Sequence, residues 1–178
     1  MQEIDVYYID EKYPIIIVDL DLPSDKRVEL KQKIIKYREK HPKSNISNVK
    51  AWHSHWYTQD ENEFKDFCHF LIKECNDIIS NFLSEFKKLY CFNMWVNMYE
   101  KGDYTQLHNH FPGDYSCCYY VDVEENCSPI KFPPKLEIAP KNNMLILFDS
   151  RIYHEVPPTK RKRTLISMNL KRIGTAPN

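Results

Sequence analysis

The half of the chain after Tyr90 consists of short apolar runs separated by turn-forming residues. The runs are, in order, Met94–Tyr99, Tyr115–Val123, Ile130–Phe132, Leu136–Ile138, Met144–Phe148 and Thr164–Leu170. Breaks rich in proline, glycine, asparagine and aspartate lie between them. Many short strands joined by polar turns are typical of a β-sandwich or a β-barrel. This half is therefore predicted to form one of these two architectures.

The first half is predicted to be mainly helical. Apolar residues recur at three- and four-residue steps over residues 25–40, which predicts a helix capped by Ser24. A longer amphipathic helix is predicted to begin at the capping pair Asp60 and Glu63 and to reach about Lys88. Two short strands are predicted before the helices: Val6–Ile9 and Ile15–Val18, separated by Pro14.

The composition excludes several classes of function. Lys+Arg and Asp+Glu both number 25, so the net charge is zero, and we expect neither nucleic acid nor a membrane surface as a partner. Only three glycines are present, too few for a Gly-rich phosphate-binding loop. No apolar stretch approaches the roughly 18–20 residues of a membrane span. The six cysteines form no CxxC pair and are expected to be reduced thiols. Reduced thiols are typical of cytoplasmic proteins, so we expect a cytoplasmic location, which is the host cytoplasm if the source is viral.

Three histidines form the most informative motif. His108 and His110 are two residues apart, and an extended segment points such a pair to one face. His154 follows 44 residues after His110, and Arg163 lies nine residues beyond it. Neutral imidazole is the commonest protein ligand for metals. A distant third ligand would complete one face of the octahedral coordination sphere of a metal ion and leave the opposite face open. Non-haem Fe(II) oxygenases have this arrangement, although one of their three ligands is a carboxylate.

Five segments between about residues 93 and 171 carry a family resemblance. They are Asn97–His110, Ser116–Val121, Leu147–Pro157, Arg163 and Ser167–Asn169. In order and spacing they resemble the Fe(II)/2-oxoglutarate-dependent dioxygenases, in particular prolyl-hydroxylase-like members. A small phage-type and bacterial subgroup with an HxH motif looks closest.

The resemblance implies an α+β fold: a double-stranded β-helix, which is a cupin-like jelly-roll barrel, buttressed by the N-terminal helices. We expect one domain over residues 1–178. Residues 1–89 would supply mainly helical support with N-terminal strands, and residues 90–172 would form the catalytic core.

The resemblance also implies roles for individual residues. His108, His154 and the residue at position 110, which is His110 here, would hold Fe(II) in the favoured interpretation, and 2-oxoglutarate would chelate the metal through its keto oxygen and C1 carboxylate. Arg163 suits the distal carboxylate, because a guanidinium donates two parallel hydrogen bonds and stays charged. Tyr120 matches the tyrosine that donates its hydroxyl to the same carboxylate, and Tyr99 matches a tyrosine that lines the cosubstrate pocket.

His110 departs from the family pattern, which has an aspartate at this position. Three alternatives remain open. All three histidines bind iron, or a carboxylate such as Asp103 or Asp114 supplies the third ligand, or the site is altered and oxidises nothing. We favour the first, because alternation along an extended chain places His110 on the same face as His108.

The expected function is hydroxylation of a small-molecule or peptide substrate by O2, coupled to oxidative decarboxylation of 2-oxoglutarate to succinate and CO2. Arg151, Arg161 and Trp52 are weak candidates for substrate contacts. A second HxH motif, His53-Ser54-His55, is interpreted as a substrate-facing or structural loop. Two alternative functions are a non-catalytic binding protein and a cupin-like three-histidine dioxygenase that needs no cosubstrate. The substrate and the oligomeric state cannot be read from the sequence.

Overall fold

The computed structural model describes residues 4–9, 12–45, 47–82 and 87–174. In chain order the elements are β1 (Ile4–Ile9), β2 (Tyr13–Asp19), α1 (Ser24–Lys40), β3 (Val49–Lys50), β4 (Trp52–His53), a 3-10 turn (Thr58–Asp60), α2 (Lys65–Ser80), β5 (Leu89–Tyr99), β6 (Tyr104–His108), β7 (Tyr115–Val123), β8 (Ile130–Phe132), β9 (Leu136–Ile138), β10 (Met144–Asp149), β11 (His154–Val156) and β12 (Arg163–Arg172). Each of the six apolar runs predicted after Tyr90 forms a strand.

The strands form two antiparallel sheets. The larger sheet has seven strands in the order β1-β2-β10-β7-β12-β5-β4. The smaller sheet has five strands in the order β3-β6-β11-β8-β9. Neighbours in space are mostly distant in sequence, which is the pattern of a jelly roll. The predicted α+β class is confirmed.

The two faces of the larger sheet bury different cores. One face packs against the helices, and its cluster contains Ile34 of α1, Leu71 of α2 and Cys117 of β7. The other face turns towards the smaller sheet, and its cluster contains Cys118 of β7 and Phe132 of β8. Successive side chains alternate across a strand, so the neighbouring Cys117 and Cys118 enter opposite cores. No helix of the described residues is both long and apolar enough to cross a membrane.

The predicted start of the second helix is wrong. Residues from Thr58 to Asp60 form a separate 3-10 turn, and α2 begins only at Lys65. The turn is anchored to the sheet, because the Thr58 hydroxyl donates to the carbonyl oxygen of Met94 at 2.8 Å. The first helix has the predicted extent, but Ser24 is its first residue rather than its cap, a position held by Pro23 without a side-chain hydrogen bond.

The predicted end of the second helix is also wrong, because α2 stops at Ser80. The side chain of Asn76 accepts a hydrogen bond from the backbone N–H of Leu89 at 2.8 Å and donates to its carbonyl oxygen at 3.2 Å. The first residue of β5 is thereby held beside the last turns of α2, so the helix cannot extend to Lys88. Leu83 and Phe86, which were assigned to the helix, lie outside the described residues.

The packing of α2 against the sheet gives a prediction for stability. Leu71 is fully buried in the core between the helices and the larger sheet. We expect Leu71→Ala to lower the free energy of unfolding by about 2–5 kcal/mol, through lost burial and the cavity left behind. Chemical denaturation measures the change. The control is Lys73→Ala on the exposed side of α2, which should change stability by less than about 0.5 kcal/mol.

Candidate metal centre

The register of the smaller sheet brings His108 and His154 together. His108 ends β6, His154 begins β11, and the two residues are direct partners in the antiparallel pair. Their ring centroids lie 4.3 Å apart. Residues opposite each other in such a pair place their Cβ atoms about 4.5–5.5 Å apart, so both imidazoles point from the same face of the sheet.

His110 completes the group from the segment that follows β6. Its Nε2 lies 3.3 Å from Nε2 of His154, and its ring centroid lies 4.9 Å from that of His108. One ring nitrogen from each of the three histidines lies within 4.8 Å of the others. The structure therefore brings together the three residues that the sequence motif singled out.

Backbone carbonyls determine which ring nitrogens are free to bind a metal. Nδ1 of His108 lies 2.8 Å from the carbonyl oxygen of Gln106, and Nδ1 of His154 lies 3.3 Å from that of Ile152. A carbonyl oxygen only accepts, so both Nδ1 atoms carry the hydrogen. Nε2 of each ring is then unprotonated and available as a ligand atom. Such carbonyl contacts typically orient the histidines of metal sites.

Burial keeps all three imidazoles uncharged. Burial lowers the pKa of His108 below its usual value, and it lowers that of His154 much further, with a contribution from its two neighbouring histidines. Burial, followed by repulsion from His108, lowers the pKa of His110 to about 3. Neutral imidazole is the form that binds a metal ion.

A hydrogen-bonded network of small side chains holds the His110 segment in place. The backbone N–H of His110 donates to the carbonyl oxygen of Ser150 at 2.8 Å. The Ser116 hydroxyl donates to Oδ1 of Asn169 at 2.8 Å and accepts from the Ser150 hydroxyl at 2.8 Å. A Cβ at Gly113 would lie 2.8 Å from the Ser150 hydroxyl, so this position has no room for a side chain. The network fixes where the third histidine can point.

Arg163 is a buried cation in the cavity next to the histidines. It is 2% exposed, its Nη1 donates to the carbonyl oxygen of Ser128 at 3.1 Å, and its Nε has no hydrogen-bond partner. Within the described ranges no carboxylate forms an ion pair with it. A buried charge without a counterion is unfavourable, so the arrangement suits an anionic ligand.

Two tyrosines flank the guanidinium. Its carbon lies 4.6 Å from the ring centroid of Tyr99 and 5.9 Å from that of Tyr120. The hydroxyl of Tyr99 lies 2.5 Å from that of Thr105 on β6. Thr105 lies three residues before His108, about 10 Å along the strand. Both tyrosines therefore lie beside Arg163, and the guanidinium is separated from the histidines along the cavity.

The histidines and Arg163 line one cavity of about 290 Å³ between the two sheets. Its wall includes Ile130 of β8 and, near the histidines, Phe148 of β10, whose ring centroid lies 4.8 Å from that of His154. Alternation along β5 points Trp95, Asn97 and Tyr99 into the cavity and Val96 into the core on the helical side. The cavity wall is mostly apolar and carries a small number of polar groups, as is usual for ligand sites.

The three weak candidates for substrate contacts do not line this cavity. Trp52 is buried in the core on the helical side, where its indole N–H donates to the carbonyl oxygen of His41 at 3.0 Å. Arg151 pairs with Asp149, with Nε 2.8 Å from a carboxylate oxygen. Arg161 is exposed in the loop before β12. Their positions give none of them a contact with the site, so we do not assign them to it.

The two aspartates proposed as alternative third ligands are engaged elsewhere. A carboxylate oxygen of Asp103 accepts the backbone N–H of Glu100 at 2.8 Å, within the turn between β5 and β6. A carboxylate oxygen of Asp114 accepts the backbone N–H of Arg172 at 2.8 Å. In the described part of the chain, the group able to hold a metal consists of the three histidines alone.

Sequence reasoning missed part of the cavity wall. His53, Trp56, Trp95 and Asn97 all line the cavity. Of these, only His53 was considered, as part of a substrate-facing or structural loop, and the other three were not candidates. The available signal was the position of His53 next to two tryptophans, combined with alternation along β5. His55, the other histidine of that motif, is half-exposed, and its Nε2 faces Glu61 at 3.0 Å.

Comparison with solved structures identifies the fold. A prolyl hydroxylase from Trichoplax adhaerens, in complex with a peptide of hypoxia inducible factor, has a TM-score of 0.67 at 19% identity, over 89% of this chain and 83% of that one. A prolyl-4-hydroxylase from Pseudomonas putida has a TM-score of 0.65 at 16% identity, over 86% and 89%. The viral collagen prolyl hydroxylase of Paramecium bursaria Chlorella virus-1, in complex with 2-oxoglutarate, has a TM-score of 0.63 at 18% identity, over 89% and 96%. The chain has the prolyl hydroxylase fold.

The predicted double-stranded β-helix is thereby confirmed. No protein-family model and no curated protein sequence matches this chain. At these low identities the comparison shows the fold alone. The function therefore has to be argued from the residues of the cavity.

Proposed function

We propose that the chain is a non-haem Fe(II)- and 2-oxoglutarate-dependent oxygenase that hydroxylates its substrate. One observation carries the proposal: a buried guanidinium without a carboxylate partner shares one cavity with three converging neutral imidazoles. The histidines suit a divalent metal, and the guanidinium suits an organic acid. A ligand that is both a chelator and a dicarboxylate satisfies the two groups together.

The three histidines fit Fe(II). Imidazole is a suitable ligand for iron, and three nitrogens on one side leave other coordination positions open. His108 and His154 direct unprotonated Nε2 atoms towards the centre, because backbone carbonyls hold their Nδ1 hydrogens. Asp103 and Asp114 are bonded to backbone N–H groups at 2.8 Å, which supports a site made of three histidines.

Arg163 fits the distal carboxylate of 2-oxoglutarate. The guanidinium can donate from Nη atoms and from the unpaired Nε, as a carboxylate with two acceptor oxygens requires. Tyr99 and Tyr120 on either side exclude water from the ion pair. Tyr99, which lies beside the guanidinium, contacts Thr105, and Thr105 lies about 10 Å along β6 from His108, so a short dicarboxylate would bridge the two ends of the cavity.

Iron with 2-oxoglutarate and O2 would supply the oxidation, in which the keto acid becomes succinate and CO2 and one oxygen atom enters a C–H bond of the substrate. The protein positions the reactants and excludes water from them. The three histidines orient the metal, Arg163 sets the direction of the cosubstrate, and the apolar wall near Phe148 keeps bulk water from the reacting atoms.

The substrate is proposed to be a peptide or an amino-acid-like small molecule. Support comes from the structural neighbour in complex with a peptide of hypoxia inducible factor and from the largely apolar cavity wall, which contains no carboxylate among the described residues. We also propose a cytoplasmic location, because the six cysteines are all free thiols, two of them neighbours on β7 that face different cores.

An anaerobic titration tests the proposal. Apoprotein receives Fe(II) and then 2-oxoglutarate while visible absorption is recorded, and a weak charge-transfer band is expected only when both are present. Under air, succinate should form from 2-oxoglutarate in a panel of candidate substrates, at a rate at least about 100-fold above that of His154→Ala. Iron binding without the band, together with no succinate above this control, would refute the proposal.

A cosubstrate-independent dioxygenase is the second candidate, because a three-histidine iron site suits such enzymes. It has no use for a buried guanidinium, so the position of Arg163 favours the first candidate. Full oxygenase activity in a variant without this guanidinium would reverse the order. Failure to bind iron at all would leave a non-catalytic binding protein.

A further inference from the structure

His53 occupies a part of the cavity wall that the metal and the cosubstrate do not use. It lies on β4 directly opposite Asn97 of β5 and is fully buried. Its ring stacks parallel to Trp95, with centroids 5.9 Å apart and planes 6° apart. The Trp56 ring is tilted by 60° against the same ring, with centroids 4.5 Å apart. Two tryptophans and a histidine therefore form one continuous aromatic surface.

The hydrogen bonds of His53 determine its tautomer. Nδ1 lies 2.5 Å from the carbonyl oxygen of Ser54 and so carries the hydrogen. Burial lowers the pKa of His53 below its usual value, which keeps the ring neutral. Nε2 then presents a lone pair, and in the described part of the chain no donor meets this buried atom. Buried polar atoms are normally paired, so this one indicates a missing partner.

Asn97 adds a second unpaired acceptor. Its Oδ1 is buried without a hydrogen-bond partner, and its side chain enters the cavity from the strand next to His53. Neither residue carries a charge, and no carboxylate lines the cavity. The ligand complementary to this surface is therefore uncharged, donates hydrogen bonds and has a flat face to lie against tryptophan.

The position of this surface relative to the metal centre indicates which ligand it serves. The Trp95 ring contacts both His53 and His110, with centroids at 5.9 and 5.7 Å. Arg163 pairs across strands with Tyr99, farther along β5. The cosubstrate thus has its own end of the cavity, and a group bound at His53 lies one aromatic ring away from a metal ligand.

We propose that His53, Asn97, Trp56 and Trp95 form the substrate subsite, which binds a planar, uncharged group through an N–H donated to Nε2 of His53. This inference rests on the proposed function, since it names the substrate class of the same cavity. Two kinds of group have these properties: a peptide amide and a ring N–H in a heterocycle. A carboxylate is disfavoured at Nε2 of His53, because a lone pair rather than a donor would face it.

Matched probe pairs that differ only in the N–H test the subsite. Indole and 1-methylindole represent the ring N–H, and N-methylacetamide and N,N-dimethylacetamide represent the peptide amide. Binding is measured by ligand-observed NMR on metal-free protein, so the result does not depend on iron or 2-oxoglutarate. We expect the N–H member of at least one pair to bind about tenfold tighter than its methylated partner. The pair that shows the preference identifies the source of the N–H.

Two variants separate a specific hydrogen bond from general apolar binding. His53→Phe keeps an aromatic ring against Trp95 and removes the acceptor, so it should abolish the N–H preference. His55→Phe alters the half-exposed histidine that faces Glu61, and it should leave the preference unchanged. Unfolding midpoints confirm that both variants are folded.

The tautomer supplies an independent readout. Long-range proton–nitrogen spectra of histidine-labelled protein should show His53 protonated at Nδ1, with its Nε2 resonance shifted by the N–H probe and not by the methylated one. Equal binding within both pairs, no binding of any probe, a preference that survives His53→Phe, or a proton on Nε2 would each overturn the subsite. A charge-transfer band without an N–H preference refutes only this inference, whereas the preference without the band refutes only the oxygenase proposal.

Discussion

Arg163→Leu is expected to weaken the binding of 2-oxoglutarate strongly while metal binding at the three histidines persists. The guanidinium is the buried cation of the cavity wall, and its Nε is unpaired. Removing one partner of a buried, hydrogen-bonded charge pair costs about 2–5 kcal/mol, which corresponds to a loss of about 30- to 4000-fold in affinity. The charge-transfer band of the Fe(II)–2-oxoglutarate complex, titrated with the keto acid, measures the loss.

The same substitution has an unusual consequence for stability. Without a ligand the guanidinium is a buried charge with no carboxylate partner in the described residues, so leucine should leave the unfolding free energy of the apoprotein unchanged or raise it. Arg161→Leu, two residues earlier and exposed, is the matched control and should change neither binding nor stability. Unaltered 2-oxoglutarate affinity in Arg163→Leu would remove this residue from the site, and full activity without cosubstrate binding would favour the cosubstrate-independent dioxygenase.

Six strands of the C-terminal half could be predicted because each of them carries its own signal. Tyr115–Val123, Ile130–Phe132 and Leu136–Ile138 have the predicted bounds, since both their apolar content and the turn residues at their ends are local. By contrast, β4 and β11 have two and three residues and exist only because neighbouring strands pair with them. Such strands depend on tertiary contacts and leave no periodic pattern in the sequence.

Trp52 was the tryptophan predicted to contact the substrate, but Trp56 and Trp95 line the cavity instead. The register of β4 explains why this could not be predicted. Trp52 and His53 are neighbours, and β4 pairs them with Met98 and Asn97 of β5. This register points Trp52 to the helical core and His53 to the cavity. A shift of one residue exchanges the two faces, and nothing local in the sequence specifies the register of a two-residue strand. The metal ligands were easier to identify, since spacing alone places His108 and His110 on one face.

His110→Asp is expected to bind Fe(II) about tenfold or more tightly than the wild-type protein. The three imidazoles are neutral, because burial lowers the pKa of each. The metal therefore keeps its full double charge, whereas a carboxylate would offset part of it. At an effective dielectric constant of about 20, one pair of unit charges about 4 Å apart contributes about 4 kcal/mol, of which desolvation of the carboxylate removes a large part. Metal-competition titrations give the affinity.

The effect of charge can be separated from the effect of shape. Asp and Asn have nearly the same size, so His110→Asn is the matched control and should bind Fe(II) more weakly than the wild-type protein, with one imidazole lost and no charge gained. His110→Asp should also lower the Fe(III)/Fe(II) potential, because an anionic ligand stabilises the higher charge. Without metal, this variant buries an unpaired carboxylate beside His154 and should be the least stable of the three proteins, with the deficit reversed by Fe(II). Equal iron affinity of the Asp and Asn variants would show that His110 is not a metal ligand, and the neutral three-histidine centre would then have to be abandoned.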